Sequence, residues 1–294
     1  MNILVTGANG QLGRELRLVC KDTADNYVFS DITDAEGLET LKLDITDASA
    51  IREAVREMGI GAIINCAAFT NVDAAEDNFE LAEKLNADAP AILASAMKEV
   101  GGVLVHISTD YVFGGAGFTS PITETAEPCP TGVYGLTKLH GERKVAETGC
   151  KAVIIRTAWL YSEFGKNFVK TMMRLTAERP LVKVVNDQIG TPTYALDLAR
   201  LIFKIVSQRL YEGHEGVYHF SDEGVCSWYD FAVRIAAAAG HDACRVEPCT
   251  SSEFPSKVVR PPYSVLDKSK VRATFEYEVP AWETSLEVCM KGLV

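Results

Sequence analysis

The chain has 294 residues and a formal net charge of -11 at pH 7, a balance that argues against non-specific binding to nucleic acid or to anionic membranes. Hydrophobic residues make up 47% of it and charged residues 23%, which is typical of a globular protein with a sizeable core. No apolar run approaches the roughly 18 residues of a membrane span. We therefore expect no nucleic-acid partner, no membrane partner, and one large domain or a domain with an appended lobe.

The start of the chain and its cysteines bear on the cellular compartment. Met1–Val5 is strand-like and lacks the charged and apolar regions of a secretory signal peptide. Eight cysteines are scattered without a C-x-x-C motif, and the closest pair, Cys244 and Cys249, has no neighbouring Cys or His to complete a zinc site. We expect reduced thiols and a cytoplasmic protein.

Strand-like and helix-like segments alternate over the first two-thirds of the chain. The strand-like runs are short and rich in β-branched residues, and they are Ile3–Thr6, Tyr27–Ser30, Ala62–Ala67, Val103–Ser108 and Ala152–Arg156. The helical patterns between them follow Gly13 to about Cys20 and then cover Ala48–Met58, Leu81–Val100 and Tyr134–Thr148. This alternation predicts an α/β fold with a doubly wound parallel sheet of the Rossmann type.

From about Trp159 the alternation changes. Helical patterns cover Phe168–Glu178, Ala195–Gln208 and Ser227–Ala239, with an apolar run and a turn-rich segment between the first two. We expect a smaller C-terminal lobe that is not fully contiguous, because short strands such as Val217–Phe220 are predicted to return to the edge of the main sheet.

A glycine-rich turn, G-A-N-G-Q-L-G, joins the first predicted strand to the first predicted helix. A dinucleotide fingerprint requires that context, although the spacing here is G-x-x-G-x-x-G. Gly7 permits the tight turn, Gly10 allows the backbone to approach a pyrophosphate, and Gly13 allows close packing of the helix, whose N-terminus supplies N–H donors. The predicted nucleotide contacts in this turn are Gly7, Asn9, Gly10, Gln11, Leu12 and Gly13.

Asp31 ends the second predicted strand. A carboxylate there accepts hydrogen bonds from the adenosine ribose and repels a 2′-phosphate, so it favours NADH over NADPH. No Arg or Lys lies between Tyr27 and Leu41 to bind the phosphate, although Arg14 or a side chain from elsewhere is an alternative. Further cofactor contacts are predicted at an acidic–apolar pair and at two small residues, namely Asp44, Ile45, Ala67 and Ala68.

Hydroxyl and amine side chains follow the fourth of these strands. Ser108 and Thr109 end it, and Tyr134 and Lys138 lie four residues apart, one turn apart on the same face of a predicted helix. In the reduction of a ketone by a nicotinamide, Tyr134 would donate the proton. Lys138 would lower the pKa of that phenol and bind the nicotinamide ribose, while Thr109 or Ser108 would hold the carbonyl oxygen.

These motifs resemble the extended short-chain dehydrogenase/reductase family, and within it a branch of sugar-nucleotide reductases. The glycine turn and the Tyr134–Lys138 pair are shared across the family. The S-T-D-Y-V-F run from Ser108 and the D-Q-I-G-T-P-T run from Asp187 are specific to the branch. Because the resemblance covers nearly the whole chain, it implies a dinucleotide-binding Rossmann domain with the catalytic residues over 1–158 and a mostly substrate-binding lobe over 159–294.

The resemblance also implies an activity, the NAD(P)H-dependent reduction of the 4-keto group of dTDP-4-dehydro-6-deoxy-L-mannose to dTDP-L-rhamnose. It implies that Thr109, Tyr134, Lys138 and Asn86 are catalytic, Asn86 by organising a proton-relay water. The implied substrate contacts are Thr70, Val72, Ser108, Asp110, Tyr111, Trp159, Asn167 and Arg260; Trp159 alternatively packs in the core. Two alternatives stay open: an enzyme acting on a different nucleotide-linked ketosugar, and a non-catalytic NAD(P)-binding regulatory subunit.

The resemblance fails at one set of positions. Some relatives dimerise through Mg²⁺ held by carboxylates, and Glu15 keeps the first of these positions. After Thr193, however, hydrophobic and basic residues replace the acidic ligands, apart from a displaced Asp197. We therefore expect no metal site, and both a homodimer and a monomer stay open. Tyr263 stands where an Asn is common, so this part of the nucleotide pocket also departs from the pattern.

Overall fold

The computed structural model describes residues 1–115, 117–254 and 256–293, and its centre is a parallel sheet. The strands are β1 Asn2–Thr6, β2 Asn26–Asp31, β3 Leu41–Lys42, β4 Ile60–Asn65, β5 Val103–Thr109, β6 Lys151–Thr157, β7 Leu160–Tyr161, β8 Leu181–Val185, β9 Ile189–Gly190, β10 Thr193–Tyr194, β11 Gly216–His219, β12 Cys226–Ser227 and β13 Arg245–Cys249. Within the described residues, seven of them form the sheet in the order β11-β6-β5-β4-β1-β2-β3. The predicted parallel sheet is confirmed, as is the return of residues near Val217–Phe220 to its edge, where β11 pairs with β6.

Helices cover both faces of this sheet. They are α1 Gln11–Val19, α2 Ala48–Glu57, α3 Val72–Ala75, α4 Phe79–Glu83, α5 Ala89–Val100, α6 Val133–Thr148, α7 Phe168–Glu178, α8 Ala195–Ser207, α9 Trp228–Ala238, α10 Ser269–Phe275 and α11 Trp282–Lys291. Helices α1 and α8 pack on one face, and α2, α5 and α6 pack on the other. Burial on both faces explains why the strands are continuous apolar runs rather than alternating ones.

One predicted helix is interrupted. Leu81–Val100 was expected to be a single α-helix, but a π-helical turn, Lys84–Asp88, separates α4 from α5. Pro90, in the first turn of α5, has no N–H to donate to the carbonyl of Asn86 and so breaks the regular ladder there. The prediction of an uninterrupted helix is therefore wrong, and the irregularity lies at a residue that the resemblance implies is catalytic.

The second half of the chain builds a smaller cluster beside the sheet. Three two-stranded pairs, β7 with β10, β9 with β12 and β8 with β13, pack with α7, α9 and α11 around a separate hydrophobic core. Helix α8 belongs to the same half but packs against α1. The lobe is therefore interwoven with the main sheet, as expected. In the part of the chain that the structure describes, no helix is both long and apolar enough to cross a membrane.

Candidate active site

A cavity of about 810 Å³ opens at the carboxyl ends of the sheet strands. The strands that follow β1 in the chain are added first on one side of it, as β2 and β3, and then on the other side, beginning with β4. Open α/β sheets bind their ligands where the strand order reverses in this way, here between β1 and β4. The predicted site residues that line the cavity are Gly7, Gly10, Gln11, Leu12, Asp31, Asp44, Ile45, Ala67, Ala68, Thr70, Val72, Ser108, Thr109, Asp110, Tyr111, Tyr134, Lys138 and Trp159. The cavity lining does not include Asn9, Gly13, Asn86, Asn167 or Arg260.

The glycine turn after β1 fits a dinucleotide phosphate. Gly7 has φ +64°, and a Cβ there would lie 2.6 Å from the backbone N of Ala67. A Cβ on Gly13 would lie 2.5 Å from Ala8 Cα, so this glycine permits close helix packing rather than direct contact with the cavity. Gly10 is the N-cap of α1 and offers no side-chain cap, which leaves the first N–H groups of the helix to bind an anion.

Asp31 is held in place at the end of β2. Its Oδ2 accepts a hydrogen bond of 3.1 Å from the backbone N of Asn9, and its Oδ1 accepts from the backbone N and the hydroxyl of Thr33, at 3.1 and 3.0 Å. Asn9 thus orients this carboxylate instead of lining the cavity. Asp44 is fixed in a similar way, because Thr46 donates to it from its backbone N and its hydroxyl, and these bonds lower the pKa of Asp44.

Three potentially catalytic side chains meet at the centre of the cavity. Thr109 ends β5, and helix α6 carries Tyr134 and Lys138 one turn apart. The phenol ring of Tyr134 packs edge-on against the ring of Tyr111, with centroids 5.5 Å apart. A Cβ on Gly141 would lie 2.1 Å from the carbonyl O of Asn86, so a glycine at this position lets α6 pack tightly against the π-helical turn.

Burial dominates the electrostatics of this group. Burial raises the pKa of Tyr134, and the Thr109 hydroxyl opposes that shift. The Lys138 side chain is only 2% exposed, and its Nζ donates to the Ile107 carbonyl at 2.6 Å. Burial lowers the pKa of Lys138 to about 8, against the opposing charge of Glu142. An effect of Lys138 on the pKa of Tyr134 stays a prediction.

A buried ion pair joins α6 to β6, and it was not predicted from the sequence. Arg156 on β6 donates to both carboxylate oxygens of Glu142 on α6, from Nε at 2.9 Å and from Nη2 at 2.6 Å. Ser108 Oγ donates to Glu142 Oε1 at 2.5 Å. The Ser108 hydroxyl, expected to contact the substrate, is thus bound to Glu142. The available signal was the position of Glu142, one helical turn after Lys138.

Asn86 is fully buried in the π-helical turn. Its Oδ1 accepts from the backbone N of Phe69 at 2.8 Å, and its Nδ2 donates to the carbonyl of Phe69 and to the hydroxyl of Thr137, both at 3.1 Å. These bonds engage both polar atoms of the Asn86 side chain and fix the segment that leads from Phe69 to Thr70. The structure therefore shows Asn86 supporting the cavity wall.

The remaining implied substrate contacts differ in position. Asn167 caps α7 by accepting from the backbone N of Lys170, and it donates to Gln11 Oε1 at 2.9 Å, so it reaches the cavity only through Gln11. Arg260 lies outside the lining, with Nη2 3.5 Å from Asp73 Oδ2.

Trp159 both faces the cavity and packs against another aromatic side chain, and its contact with a substrate stays a prediction. It lines the cavity and stacks on Trp228 with ring centroids 3.6 Å apart, and its φ of +50° is an uncommon conformation for a residue with a Cβ. Strained backbone of this kind often occurs at functional sites.

Comparison with known proteins identifies the family. The sequence model for the RmlD substrate binding domain matches residues 1–294. The chain belongs to the RmlD substrate-binding domain family. This RmlD-family chain is 38% identical to the dTDP-4-dehydrorhamnose reductase of Burkholderia thailandensis, in a match that covers 100% of this chain and 99% of that protein.

Solved structures of RmlD-like proteins agree with the fold. The crystal structure of a dTDP-4-dehydrorhamnose reductase from Clostridium acetobutylicum is 44% identical, with a TM-score of 0.91 and 99% of both chains covered. That of the dTDP-4-dehydrorhamnose reductase from Bacillus anthracis, in complex with NADP, is 38% identical, with a TM-score of 0.87, and the match covers 99% of this chain and 98% of that one.

The residues near Glu15 do not fit a metal ion that bridges two RmlD-family chains. The Glu15 side chain is 0% exposed, whereas an ion shared between two chains needs ligands at the surface. Burial, and next the neighbouring Glu163, raise the pKa of Glu15 to about 8. Asp197 is bound to Arg200 and Ser285. Among the described residues there is no group of three or more His, Cys, Asp or Glu that could hold a metal.

Proposed function

We propose that this chain reduces the 4-keto group of dTDP-4-dehydro-6-deoxy-L-mannose with NAD(P)H to give dTDP-L-rhamnose. The observation that carries the proposal is the meeting of Thr109, Tyr134 and Lys138 in one cavity at the carboxyl ends of the strands, beside the glycine turn. The full-length match to the RmlD family supports the choice of substrate class.

The side chains of the cavity divide the chemistry between them. The nicotinamide cofactor supplies the hydride when it is bound. The glycine turn and the N-terminus of α1 hold its pyrophosphate, and Lys138 holds the nicotinamide ribose. Tyr134 donates a proton to the carbonyl oxygen as the alkoxide develops, and Thr109 holds that oxygen with its hydroxyl. The reaction thus needs no acid stronger than the buried phenol, because the proton leaves Tyr134 only as charge builds on the substrate.

Asp31 directs the choice of cofactor towards NADH. Its carboxylate lines the cavity at the end of β2, and the bonds from Asn9 and Thr33 keep it oriented. A 2′-phosphate placed beside it would be repelled, whereas two ribose hydroxyls would be hydrogen-bonded. NADPH is accordingly the weaker substrate, although the chain accepts both forms.

Residues of both parts of the chain bind the sugar nucleotide. Residues 1–158 hold the cofactor and the catalytic group, and residues 159–294 mostly complete the substrate site. Thr70, Val72, Tyr111 and Trp159 line the cavity. Arg260 lies outside the lining but beside Tyr111, and it can exchange Asp73 for the diphosphate of the substrate. We place the enzyme in the cytoplasm, because its eight described cysteines are free thiols.

The proposal is tested by following NADH and NADPH oxidation with dTDP-4-dehydro-6-deoxy-L-mannose and with a panel of other nucleotide ketosugars. The expected result is preferential turnover of the first compound and formation of dTDP-L-rhamnose, identified by NMR. Faster turnover of another ketosugar would indicate a different reductase of the branch. A folded, cofactor-binding protein that reduces none of them would favour the regulatory-subunit alternative.

A further inference from the structure

The carboxyl group of Asp110 lies directly beside the hydroxyl that is proposed to hold the ketone. Asp110 begins the 3₁₀ turn after β5, is 3% exposed and lines the cavity. Thr109 Oγ1 donates to Asp110 Oδ1 at 3.0 Å. The other oxygen, Oδ2, is buried and has no hydrogen-bond partner among the described residues. A buried polar atom of this kind requires an explanation, because an unpaired carboxylate oxygen is costly.

The hydrogen count at Thr109 supplies that explanation. A threonine hydroxyl has one hydrogen and two lone pairs. Its oxygen already accepts a bond of 3.2 Å from the backbone N of Tyr111. An ionised Asp110 only accepts, so it takes the single Thr109 hydrogen and leaves none for a ketone oxygen. A protonated Asp110 can donate to Thr109 instead, and the Thr109 hydrogen is then free to point at the substrate.

The surroundings of Asp110 make both forms accessible. Burial raises the pKa of Asp110 to about 7, opposed by the hydroxyls of Thr109 and Ser264 and by nearby backbone N–H groups. The titratable groups that face it are Tyr134 on α6 and Tyr111 in the 3₁₀ turn, while Arg260 and Asp73 lie beyond Tyr111.

We propose that Asp110 is a positioning residue whose protonated carboxyl donates to Thr109 and thereby turns the Thr109 hydroxyl towards the ketone oxygen. Asp110 keeps its proton throughout the reaction, since the proton that reaches the alkoxide comes from Tyr134. The inference rests on the proposed ketone reduction. It assigns Asp110 a different task from the implied direct contact with the substrate.

The kinetic test is the variant Asp110→Asn, whose amide donates to Thr109 at every pH. Because the pKa of Asp110 is about 7, kcat of the unmodified enzyme is expected to fall about tenfold from pH 6 to pH 8 at saturating substrates. In Asp110→Asn, the tenfold fall in kcat between pH 6 and pH 8 is expected to disappear. The matched control is Asp77→Asn, an exposed carboxylate paired with Lys257, which is expected to keep the tenfold fall.

A second variant tests the inference if Asp110→Asn does not fold. Ser264→Ala removes a hydroxyl that lowers the pKa of Asp110, so the fall in kcat is expected to move to higher pH. An unchanged fall in folded Asp110→Asn, or no turnover by that variant between pH 6 and pH 8 while it still binds NADH, would overturn the inference.

An infrared measurement separates this inference from the proposed function. In the protein without substrate, the difference spectrum between the unmodified protein and Asp110→Asn is expected to contain the C=O stretch of a protonated carboxyl, and this band is expected to grow between pH 8 and pH 6. Glu15, whose pKa is raised to about 8, also gains a proton in this interval but is common to both proteins and cancels in the difference. Absence of the band from the difference spectrum at pH 6 would overturn the role of Asp110, whether or not the sugar is reduced. A wild-type protein that shows this band but does not reduce the ketosugar would contradict only the proposed function.

Discussion

At the scale of single residues, the acidic and basic side chains of the cavity differ in their surroundings. Asp31, Asp110 and Lys138 all line the same cavity, but each is fixed by different neighbours. Asp31 is oriented by N–H and O–H donors, whereas burial brings the pKa of Asp110 to about 7 and that of Lys138 to about 8. One cavity therefore contains an oriented acidic side chain after β2 and two titrating side chains near the proposed position of the ketone.

Replacing Asp31 tests the charge at the cofactor end. Asp31→Ala removes the repulsion of a 2′-phosphate, so the ratio of kcat/KM for NADPH to that for NADH is expected to rise by about tenfold, or about 1.4 kcal/mol. Steady-state kinetics with both cofactors measure this ratio. The exposed neighbour Asp34, changed to Ala, is the matched control, and an unchanged ratio in Asp31→Ala would remove Asp31 from cofactor selection.

At the scale of secondary-structure elements, the site depends on how α6 is attached to the sheet. Glu142 on α6, Arg156 on β6 and Ser108 on β5 form one buried hydrogen-bonded group. It joins the helix that carries Tyr134 and Lys138 to the two strands beneath it. Removing one charge of such a pair leaves the other buried and unpaired, which costs more than the pair itself contributes.

Glu142→Gln is therefore expected to lower the free energy of unfolding by about 3–5 kcal/mol, since Arg156 would remain buried without its counter-charge. The double variant Glu142→Gln/Arg156→Met is expected to lose less than the single one. Urea unfolding of the three proteins measures the difference. A double variant that loses as much as Glu142→Gln, or more, would contradict a cost that comes from the unpaired Arg156.

At the scale of the whole molecule, α1 and the second half of the chain meet at an acidic pair, the buried Glu15 and the half-buried Glu163. Burial raises the pKa of Glu15 from 4.5 to about 8, with Glu163 the next cause. The folded state therefore binds more protons than the unfolded state between these two values. Stability from this group is present below pH 4.5 and is lost as the pH rises towards 8.

Glu15→Gln removes the loss of stability at high pH, because glutamine does not titrate and has nearly the same size as glutamate. Its free energy of unfolding is expected to match that of the unmodified protein near pH 4 and to exceed it by about 1–3 kcal/mol at pH 8. Denaturant unfolding at the two pH values measures the difference. The exposed Glu57, changed to Gln, is the control, and a gain that is the same at both pH values would contradict a titrating Glu15.

The sequence predicted the sheet and most of its helices because apolar runs and helical periodicity are local signals. The observed α8 and α9 differ from the predicted helices by about one residue at an end, and β11 returns to the sheet as expected. Tertiary contacts were harder to predict. The π-helical turn depends on Pro90 and on the approach of α6, and the Glu142–Arg156 pair joins residues on a helix and a strand.

The same limit applies to the candidate site. The resemblance could place Asn167 and Arg260 by position, but only the fold shows that Asn167 caps α7 and that Arg260 faces Asp73. Many of the residues that line the cavity lie at or just after the carboxyl ends of strands, and for this reason the sequence could bring them together. Tyr134 and Lys138 lie on α6 instead, and their helical spacing and the resemblance placed them at the site.

The central claim is that Tyr134 donates the proton to the ketone. The most direct measurement is the rate of NADH oxidation with dTDP-4-dehydro-6-deoxy-L-mannose by Tyr134→Phe, with Tyr211→Phe as a control whose hydroxyl lies far from the cavity lining. Tyr134→Phe is expected to lower kcat by about 10²–10⁴-fold, with NADH affinity unchanged within a few-fold, because only the hydroxyl that donates the proton is lost. Near-normal turnover by Tyr134→Phe would contradict the proposed role of Tyr134.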